Sequence, residues 1–390
     1  MKKIAFISSG YLPLPSVRGG AVETLIDNII ESPLVKFDYE IDVYSIYDEI
    51  AKKKSTNNEN VNYYYIKSKN KIIKTARWFI NKFGQAYIGN EFISLLVKEH
   101  KDKLSEYDYV IVQNKPEYGL YLKKYVTGKL VFHSHNDFLN KNTKNAKKIF
   151  DSYDQIFCLS KYICERVNDI NPKSKKVKLL YNGVDNDKFV GIINILNERK
   201  KYGLNIDDVV FLYTGRLVKE KGIEELIRAF NKINNKKFKL LVTGSIGYGK
   251  TTKNKFTKKL QQLSENNKNI IYTGYIDYSD IHKLYMISDC GIVPSIWEEP
   301  FALTVIEHLS SGHPVIITES GAMPELITNQ CSIIVKKDED KIVEELINAI
   351  YNIEKMIKEK DISDICIKQA QQFSKDKYIN KFKQLIEEME

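Results

Sequence analysis

The sequence predicts an α/β protein with two Rossmann-like domains, each built on a parallel sheet. Short apolar segments of strand length alternate with amphipathic helical segments along all 390 residues, and the series of strands restarts at Val209. This alternation is typical of βαβ units with helices on both faces of a sheet. We place the boundary after residue 190, so that residues 1–190 form one domain and residues 191–372 form the other.

The predicted strands fall into two series. The strands of the first series are Lys3–Ser8, Glu40–Ile46, Val61–Ile66, Tyr109–Gln113, Lys129–Ser134, Gln155–Ser160 and Lys178–Tyr181. The strands of the second series are Val209–Thr214, Lys239–Thr243, Asn269–Thr273, Cys290–Pro294 and Pro314–Thr318. Most are short runs rich in β-branched residues, as expected of buried parallel strands. The last two helical patterns cover Lys341–Lys358 and Phe373–Glu390.

The composition is that of a globular protein of a reducing compartment. Hydrophobic residues make up 43% of the chain and charged residues 28%, and no apolar run is long enough to span a bilayer. The segment Met1–Gly10 carries two lysines, as a signal peptide would, but its apolar core is short and predicts a first strand. Five scattered cysteines without a Cys-x-x-Cys pair indicate reduced thiols, and therefore a cytoplasmic protein.

The net charge of +10 favours an anionic partner. A phosphorylated substrate, an anionic membrane and a nucleic acid would each suit a basic surface, but no nucleic-acid-binding motif accompanies the charge. Lys67–Lys74 and Ala76–Phe83 mix cations with aromatic residues. We expect either a helix whose aromatic side chains pack into the first domain, or a weak and salt-sensitive contact with the inner face of a membrane.

The segment Trp297–Glu325 carries the most specific pattern in the chain. It follows the buried strand Cys290–Pro294, and Pro300 fits the first turn of a helix, where its missing N–H is not needed. The helix is predicted over Phe301–Ser310, and the next buried strand over Pro314–Thr318.

Two carboxylates flank the start of this helix. Glu299 precedes it, and Glu307 is expected about two turns into it, roughly 12 Å further along the axis. The free N–H groups of the first turn favour a phosphate between them, so the two acids could hold hydroxyls at the two ends of a nucleotide-sugar. Two solvated surface glutamates are the alternative. The spacing resembles the Glu-x7-Glu motif of the retaining glycosyltransferases of family 4, which have the GT-B fold.

A basic loop follows the first strand of the second series. It begins at Gly215-Arg216 and ends at Lys221-Gly222. The planar fork of an arginine and the point charge of a lysine can together neutralise a diphosphate, although a solvated basic loop is also compatible with the pattern. The run is similar to the Gly-Arg-x4-Lys-Gly pattern of family 4, which implies that Arg216 and Lys221 stabilise the leaving diphosphate.

In the first domain the resemblance is carried by a glycine pair and a histidine. Gly19 and Gly20 let the backbone approach a ligand and open a helix. The run Pro15–Ala21 resembles a bacterial branch of family 4 that includes a spore-coat-associated member. His133 and His135 alternate at a strand end, so both rings are expected on one side. A metal site would need a third ligand, and none stands at a suggestive spacing. His135 matches the family's histidine near the donor sugar, and His133 is expected to be scaffold.

A competing motif lies between these regions. Gly244–Thr251 fits Gly-x4-Gly-Lys-Thr after a strand, which is the pattern of a P-loop with Lys250 on the phosphates. No convincing acidic strand end follows to hold magnesium. Family 4 has a glycine-containing loop here that often lines the nucleotide site, which implies a donor contact at Gly244. Ile276, two residues after Gly274, lies where the family's base-contacting loop occurs, and such contacts would come from the backbone.

The resemblance implies two domains that face a central cleft, with a C-terminal helix, residues 373–390, that crosses back to the first domain. It implies a hexosyltransferase that moves a sugar from a nucleotide-diphosphate donor, expected to be a UDP-sugar, to a cell-surface glycan, glycolipid or glycoprotein. The reaction would retain the anomeric configuration and use neither a metal nor another cofactor. The catalytic residues would be His135, Arg216, Lys221 and Glu299. The donor-binding residues would be Gly19, Gly20, Gly215, Gly244, Ile276, Phe301, Ala302, Leu303, Thr304 and Glu307.

The sequence departs from the family pattern at two places. Ala302 stands where a glycine is common and His308 where a small residue is usual, so Ala302 is expected to crowd the sugar pocket. Three other functions stay open: a nucleotide-sugar epimerase with the same fold, a P-loop NTPase, and an inactive structural coat protein. Intact Arg216, Lys221, Glu299 and Glu307 argue against the last of these.

Overall fold

The computed structural model describes residues 1–58, 60–67, 84–191, 193–245, 254–277 and 279–390, and only the backbone of residues 84–90. The chain divides into two compact units. One consists of Met1–Asn182 with Tyr378–Glu390, and the other of Gly183–Lys377. The observed division therefore lies eight residues before the boundary predicted at residue 190.

The first unit contains a parallel sheet of seven strands in the order β3-β2-β1-β4-β5-β6-β7. The strands are β1 Lys2–Ile7, β2 Tyr39–Ile46, β3 Val61–Ile66, β4 Tyr109–Gln113, β5 Lys129–Ser134, β6 Gln155–Cys158 and β7 Val177–Leu179. Ile4 in β1 pairs in register with Ile41 on one side and with Tyr109 on the other. Every residue of β4 is buried, as expected of a strand that is covered on both faces.

Helices flank this sheet along the chain. Those of the first unit are Ala21–Ile30, Pro33–Lys36, Glu49–Ser55, Gly84–His100, Gly119–Leu122, Ala146–Ser152 and Lys161–Asn168. The helix Ala21–Ile30 buries Leu25, Ile26, Ile29 and Ile30 in one core cluster with β1. These residues recur at the helical period, which places them on the face toward the sheet.

The second unit contains a parallel sheet of six strands in the order β10-β9-β8-β11-β12-β13. The strands are β8 Val209–Thr214, β9 Phe238–Thr243, β10 Ile270–Gly274, β11 Cys290–Val293, β12 Val315–Thr318 and β13 Ser332–Val335. The helices are Ile195–Lys201, Ile223–Lys232, Lys255–Ser264, Ile281–Ile287, Leu303–Ser310, Ile342–Ile357 and Ile362–Ala370. The edge strand β13 was not predicted.

The final helix, Lys375–Glu387, belongs to the first unit from Tyr378 onward. Phe382 is fully buried, and its ring lies 6.0 Å from that of Phe6 and 6.2 Å from that of Phe157, measured between centroids. This packing confirms the prediction that the last segment returns to the N-terminal domain. The two parallel sheets likewise confirm the predicted α/β fold class.

Candidate active site

The candidate residues of the second unit lie at the ends of neighbouring strands. β8, β9, β10 and β11 are adjacent and parallel, so the loops that follow their carboxyl ends share one edge of the sheet. That edge is where ligands bind in open α/β sheets.

Three glycines bring the ends of these strands into close contact. Gly244 has a φ of +140°, and a β-carbon there would stand 1.8 Å from the carbonyl oxygen of Gly215. The Gly244 N–H donates to the carbonyl of Gly274 at 3.1 Å. Only glycine fits this approach of two backbones. Ile276 follows, half-buried, in the predicted base-contacting loop. The rest of the P-loop-like motif, residues 246–251, lies outside the described residues.

Glu299 and Lys221 form an ion pair. Lys221 ends a single 3₁₀ turn after β8, and its Nζ lies 2.5 Å from Oε1 of Glu299. The Ser295 hydroxyl donates to the same oxygen. Glu299 is only 3% exposed, and a buried carboxylate requires such partners. A cation predicted to bind diphosphate and an acid predicted to bind a sugar are therefore in direct contact.

The segment after β12 holds the backbone of Glu299 in place. A β-carbon at Gly321 would stand 2.3 Å from the Glu299 carbonyl oxygen, and the Ala322 N–H donates to that oxygen at 2.8 Å. The hydroxyl of Ser320 donates to the carbonyl of Trp297. The sequence analysis assigned no role in the site to Ser320, Gly321 or Ala322. A run of small residues directly after a buried strand was the available signal for a close backbone approach.

The second predicted cation, Arg216, is exposed. Its carbonyl accepts a 2.8 Å hydrogen bond from the Tyr213 hydroxyl, which fixes the backbone of the loop. Within the described ranges its guanidinium forms no ion pair. Lys221 instead lies 5.5 Å from the ring centroid of Trp297. Of the two cations predicted to bind the diphosphate, Lys221 is therefore paired and Arg216 forms no ion pair with a described residue.

The helix after Glu299 begins later than predicted. It runs over Leu303–Ser310, and Ala302, with φ −119° and ψ 89°, is its N-cap. Pro300 therefore lies before the helix and not in its first turn, because Ala302 has non-helical backbone angles. No side chain caps this end, which leaves first-turn N–H groups, those of Leu303 and Thr304, for an anion. Phe301 and Ala302 are buried beside them.

Glu307 is the fifth residue of the helix, so it lies little more than one turn in and not two. It is 7% exposed, and its Oε2 accepts a 2.5 Å hydrogen bond from the Tyr285 hydroxyl. Burial raises the pKa of Glu307 above its usual value, while the Tyr285 hydrogen bond and the charge of Lys188 lower it. Neither Tyr285 nor Lys188 was predicted as a site residue, because nothing in their local sequence marks them.

In the first unit, the glycine pair precedes the helix Ala21–Ile30 as predicted. Gly19 and Gly20 have φ angles of +73° and +118°. A β-carbon at Gly20 would stand 2.3 Å from Oε2 of Glu23. Gly20 is the N-cap and supplies no side-chain hydrogen bond. The helix thus begins directly after the glycine pair, as predicted.

His135 follows β5 and is buried beside His133. The two ring centroids are 4.1 Å apart, so both rings face the same side as expected. Nε2 of His135 lies 2.8 Å from Oε1 of Gln113, and because an amide oxygen only accepts, this nitrogen carries the proton. Burial lowers the pKa of His135 to about 3, and His135 is therefore neutral at physiological pH.

No three His, Cys, Asp or Glu side chains among the described residues are arranged to hold a metal ion. No helix in the same ranges combines the length and apolar character needed to cross a membrane.

The two Rossmann-like units with parallel sheets have the GT-B fold. Residues 194–372 match the family model described as "Glycosyl transferases group 1". The second unit thus carries a domain of the group 1 glycosyl transferases, and the chain is a hexosyltransferase, as predicted.

Two relatives agree with this assignment. The chain is 28% identical to spore coat protein SA of Bacillus subtilis over 340 residues, which cover 83% of both chains. It is 32% identical over 178 residues to the capsular polysaccharide biosynthesis glycosyltransferase CapM of Staphylococcus aureus, which cover 45% of each chain. The first of these confirms the predicted resemblance to a branch that includes a spore-coat protein.

Solved structures confirm the fold. Anabaena Alr3699/HepE in complex with UDP superposes with a TM-score of 0.74 at 17% identity, over 100% of both chains. The sucrose-phosphate synthase of Thermosynechococcus elongatus gives a TM-score of 0.74 at 18% identity, over 100% of this chain and 99% of the other.

Proposed function

We propose that this enzyme transfers a sugar from a nucleotide-diphosphate donor, a UDP-sugar, to a surface glycan, glycolipid or glycoprotein, with retention of the anomeric configuration. The UDP in the complex with Alr3699/HepE supports the choice of donor. The relatives named for a spore coat and for capsular polysaccharide support the class of acceptor.

The observation that carries the proposal is the contact between Lys221 and Glu299 beside an uncapped helix N-terminus. The buried acid Glu299 is paired with the cation Lys221, and the helix with free first-turn N–H groups begins four residues after Glu299. A donor diphosphate would take over Lys221 and the first-turn amides, and Glu299 would then accept hydrogen bonds from the transferred sugar. Glu307, further along the helix, would hold the ribose.

Charge develops on the diphosphate as the bond from the sugar C1 to the β-phosphate oxygen breaks. Arg216, Lys221 and the amides of Leu303 and Thr304 would stabilise that charge, because they are in place before the reaction begins. The acceptor hydroxyl oxygen forms the new bond to C1 on the face that the diphosphate leaves, and the diphosphate takes the hydroxyl proton. The protein supplies neither a nucleophile nor a metal in this proposal.

Gly19 and Gly20 would approach the donor phosphates, and neutral His135 would contact the donor sugar. We propose that the enzyme works in the cytoplasm, with a peripheral contact at the inner face of the membrane through the basic aromatic stretch at 67–83. All but the first residue of that stretch lies outside the described residues.

A donor screen tests the proposal. UDP-, GDP- and ADP-sugars are incubated with the enzyme and glycan or lipid acceptors, and released nucleoside diphosphate is measured with and without EDTA. We expect release from UDP-sugars that EDTA leaves unchanged, and a product with the donor's anomeric configuration by NMR. Absence of release from every donor would contradict the function. Loss of release in EDTA would contradict the metal-independent step alone.

A further inference from the structure

A buried tyrosine connects Glu307, the residue proposed to bind the ribose, to the sheet. The hydroxyl of Tyr285 donates to Oε2 of Glu307 at 2.5 Å and lies 2.9 Å from Oγ1 of Thr214, the last residue of β8. Since the tyrosine proton is used on the carboxylate, the Thr214 hydroxyl donates to the tyrosine oxygen. Thr214, Tyr285 and Glu307 therefore form a chain of hydrogen bonds, in which each bond strengthens the next.

The ring of Tyr285 packs against two other rings. It is fully buried, and its centroid lies 5.2 Å from that of Phe189 and 4.6 Å from that of His308, both edge-on. A fully buried side chain in close contact with two other rings has little freedom to move its hydroxyl. The carboxylate oxygen that accepts from it is fixed to the same degree.

The two oxygens of Glu307 differ in their surroundings. Oε2 accepts from Tyr285, and the hydrogen bonds given for the described residues include none to Oε1. One oxygen is thus occupied by the protein, and the other has no hydrogen-bond partner among the described residues.

We propose that Tyr285, supported by Thr214, is a positioning residue that fixes Glu307 so that its Oε1 accepts a hydrogen bond from a ribose hydroxyl. The inference rests on the proposed function, because it requires that the ligand be a ribonucleotide. It adds a specificity: the site would select ribose over deoxyribose through an acid aligned by a tyrosine that does not touch the ligand.

The direction of the pKa effects agrees with this role. Burial alone favours the protonated form of Glu307, and a protonated oxygen is a weaker acceptor for a sugar hydroxyl. The Tyr285 hydrogen bond lowers the pKa of Glu307, and so favours the ionised acceptor. If Tyr285 had only a structural role, any hydrogen-bond acceptor would satisfy its hydroxyl, and its removal would not change the selectivity between ribose and deoxyribose.

Equilibrium binding of UDP, 2′-deoxy-UDP and 3′-deoxy-UDP, measured by calorimetry, tests the inference without relying on turnover. The wild type should bind UDP at least about tenfold more tightly than one of the deoxy analogues, because an unpaired buried acceptor is costly. In Tyr285→Phe the affinity for UDP should fall by about tenfold. Affinity for the discriminated analogue should change less than about twofold, so that the selectivity nearly disappears.

Tyr272→Phe is a matched control, since that hydroxyl lies 3.2 Å from the Ser264 hydroxyl and 3.3 Å from the Leu260 carbonyl. It should keep the wild-type selectivity. Circular dichroism melts of both variants would reveal a loss of folding, and Thr214→Val should weaken the selectivity in the same direction as Tyr285→Phe.

The possible results distinguish failure of the proposed function from failure of the positioning role of Tyr285. If the wild type binds none of these nucleotides, the proposed UDP site is wrong, and this inference falls with it. If it binds UDP but does not discriminate either analogue, or if Tyr285→Phe weakens all three ligands equally, the proposed function stands and the positioning role is wrong.

Discussion

Gly291 in β11 lies against the imidazole of His308, so that a β-carbon at residue 291 would stand 2.3 Å from Cγ and Cδ2 of that ring. His308 is fully buried, and neither of its ring nitrogens has a hydrogen-bond partner. Burial lowers its pKa to about 3, so the ring is neutral at physiological pH. The bulky residue that departs from the family pattern is thus accommodated by the absence of a side chain on the neighbouring strand.

Gly291→Ala should therefore destabilise the second unit. The atoms that the methyl group would meet are the buried base of a side chain, which cannot move away, and overpacking of this kind costs about 1–3 kcal/mol. Thermal unfolding should show a lower midpoint. Gly191→Ala is the control, because among the described residues a β-carbon there meets a single atom, 3.9 Å away, and it should leave the midpoint nearly unchanged.

The double variant Gly291→Ala, His308→Ala should be more stable than the sum of the single changes predicts. The added methyl group would enter space that the ring has left, with a coupling of about 1 kcal/mol or more. Simple additivity of the two single changes would show that the contact is not the source of the destabilisation.

Lys221→Ala should reduce turnover by about 10²–10³, which is the usual cost of removing one transition-state charge stabiliser. The measured quantity is kcat for release of nucleoside diphosphate from the donor identified by the screen. Lys221 is half-buried in a loop turn, so the fold should survive. Lys219→Ala, an exposed cation in the same turn, should stay within about twofold of the wild type. Equal losses in both variants would indicate a general charge effect and contradict the assigned role.

Glu23 in the first helix should make the stability of the first unit depend on pH. Burial raises its pKa to about 7, and the neighbouring acid Asp27 contributes to the rise. In the folded state Glu23 is therefore protonated below about pH 7, whereas in the unfolded state it ionises near its ordinary value. The folded state binds more protons between these values, so stability falls as the pH rises through this window.

Replacing Glu23 with Gln removes that dependence. At pH 5 the variant and the wild type should unfold at similar temperatures, and at pH 8 the variant should be more stable by about 2 kcal/mol, since one pKa unit corresponds to 1.36 kcal/mol. Glu49→Gln, a change at an exposed acid, should show no such gain between the two pH values. If Glu23→Gln is no more stable than the wild type at pH 8, then ionisation of Glu23 does not destabilise the folded protein, and the raised pKa is wrong.

Much of the site could be predicted because its signals are local. Glu299 and Glu307 are separated by a short, recognisable pattern, and Arg216 and Lys221 lie in one loop after one strand. The strand-end glycines were also visible, since a glycine directly after a buried strand marks a close backbone approach. The boundaries were less certain, and the helix begins at Leu303 because Ala302 takes a non-helical conformation that composition does not dictate.

The sequence by itself determined the alternation of strands and helices, the restart of the series in a second sheet, and the residue types of the site, because each depends on periodicity or short-range spacing. Tertiary structure decided which side chains meet. Lys221 and Glu299 are 78 residues apart in the chain, and Tyr285 and Glu307 are 22 apart. Those contacts exist because the order of the parallel strands brings their carboxyl ends to one edge. Strand order is set by the packing of whole elements, which no local pattern encodes.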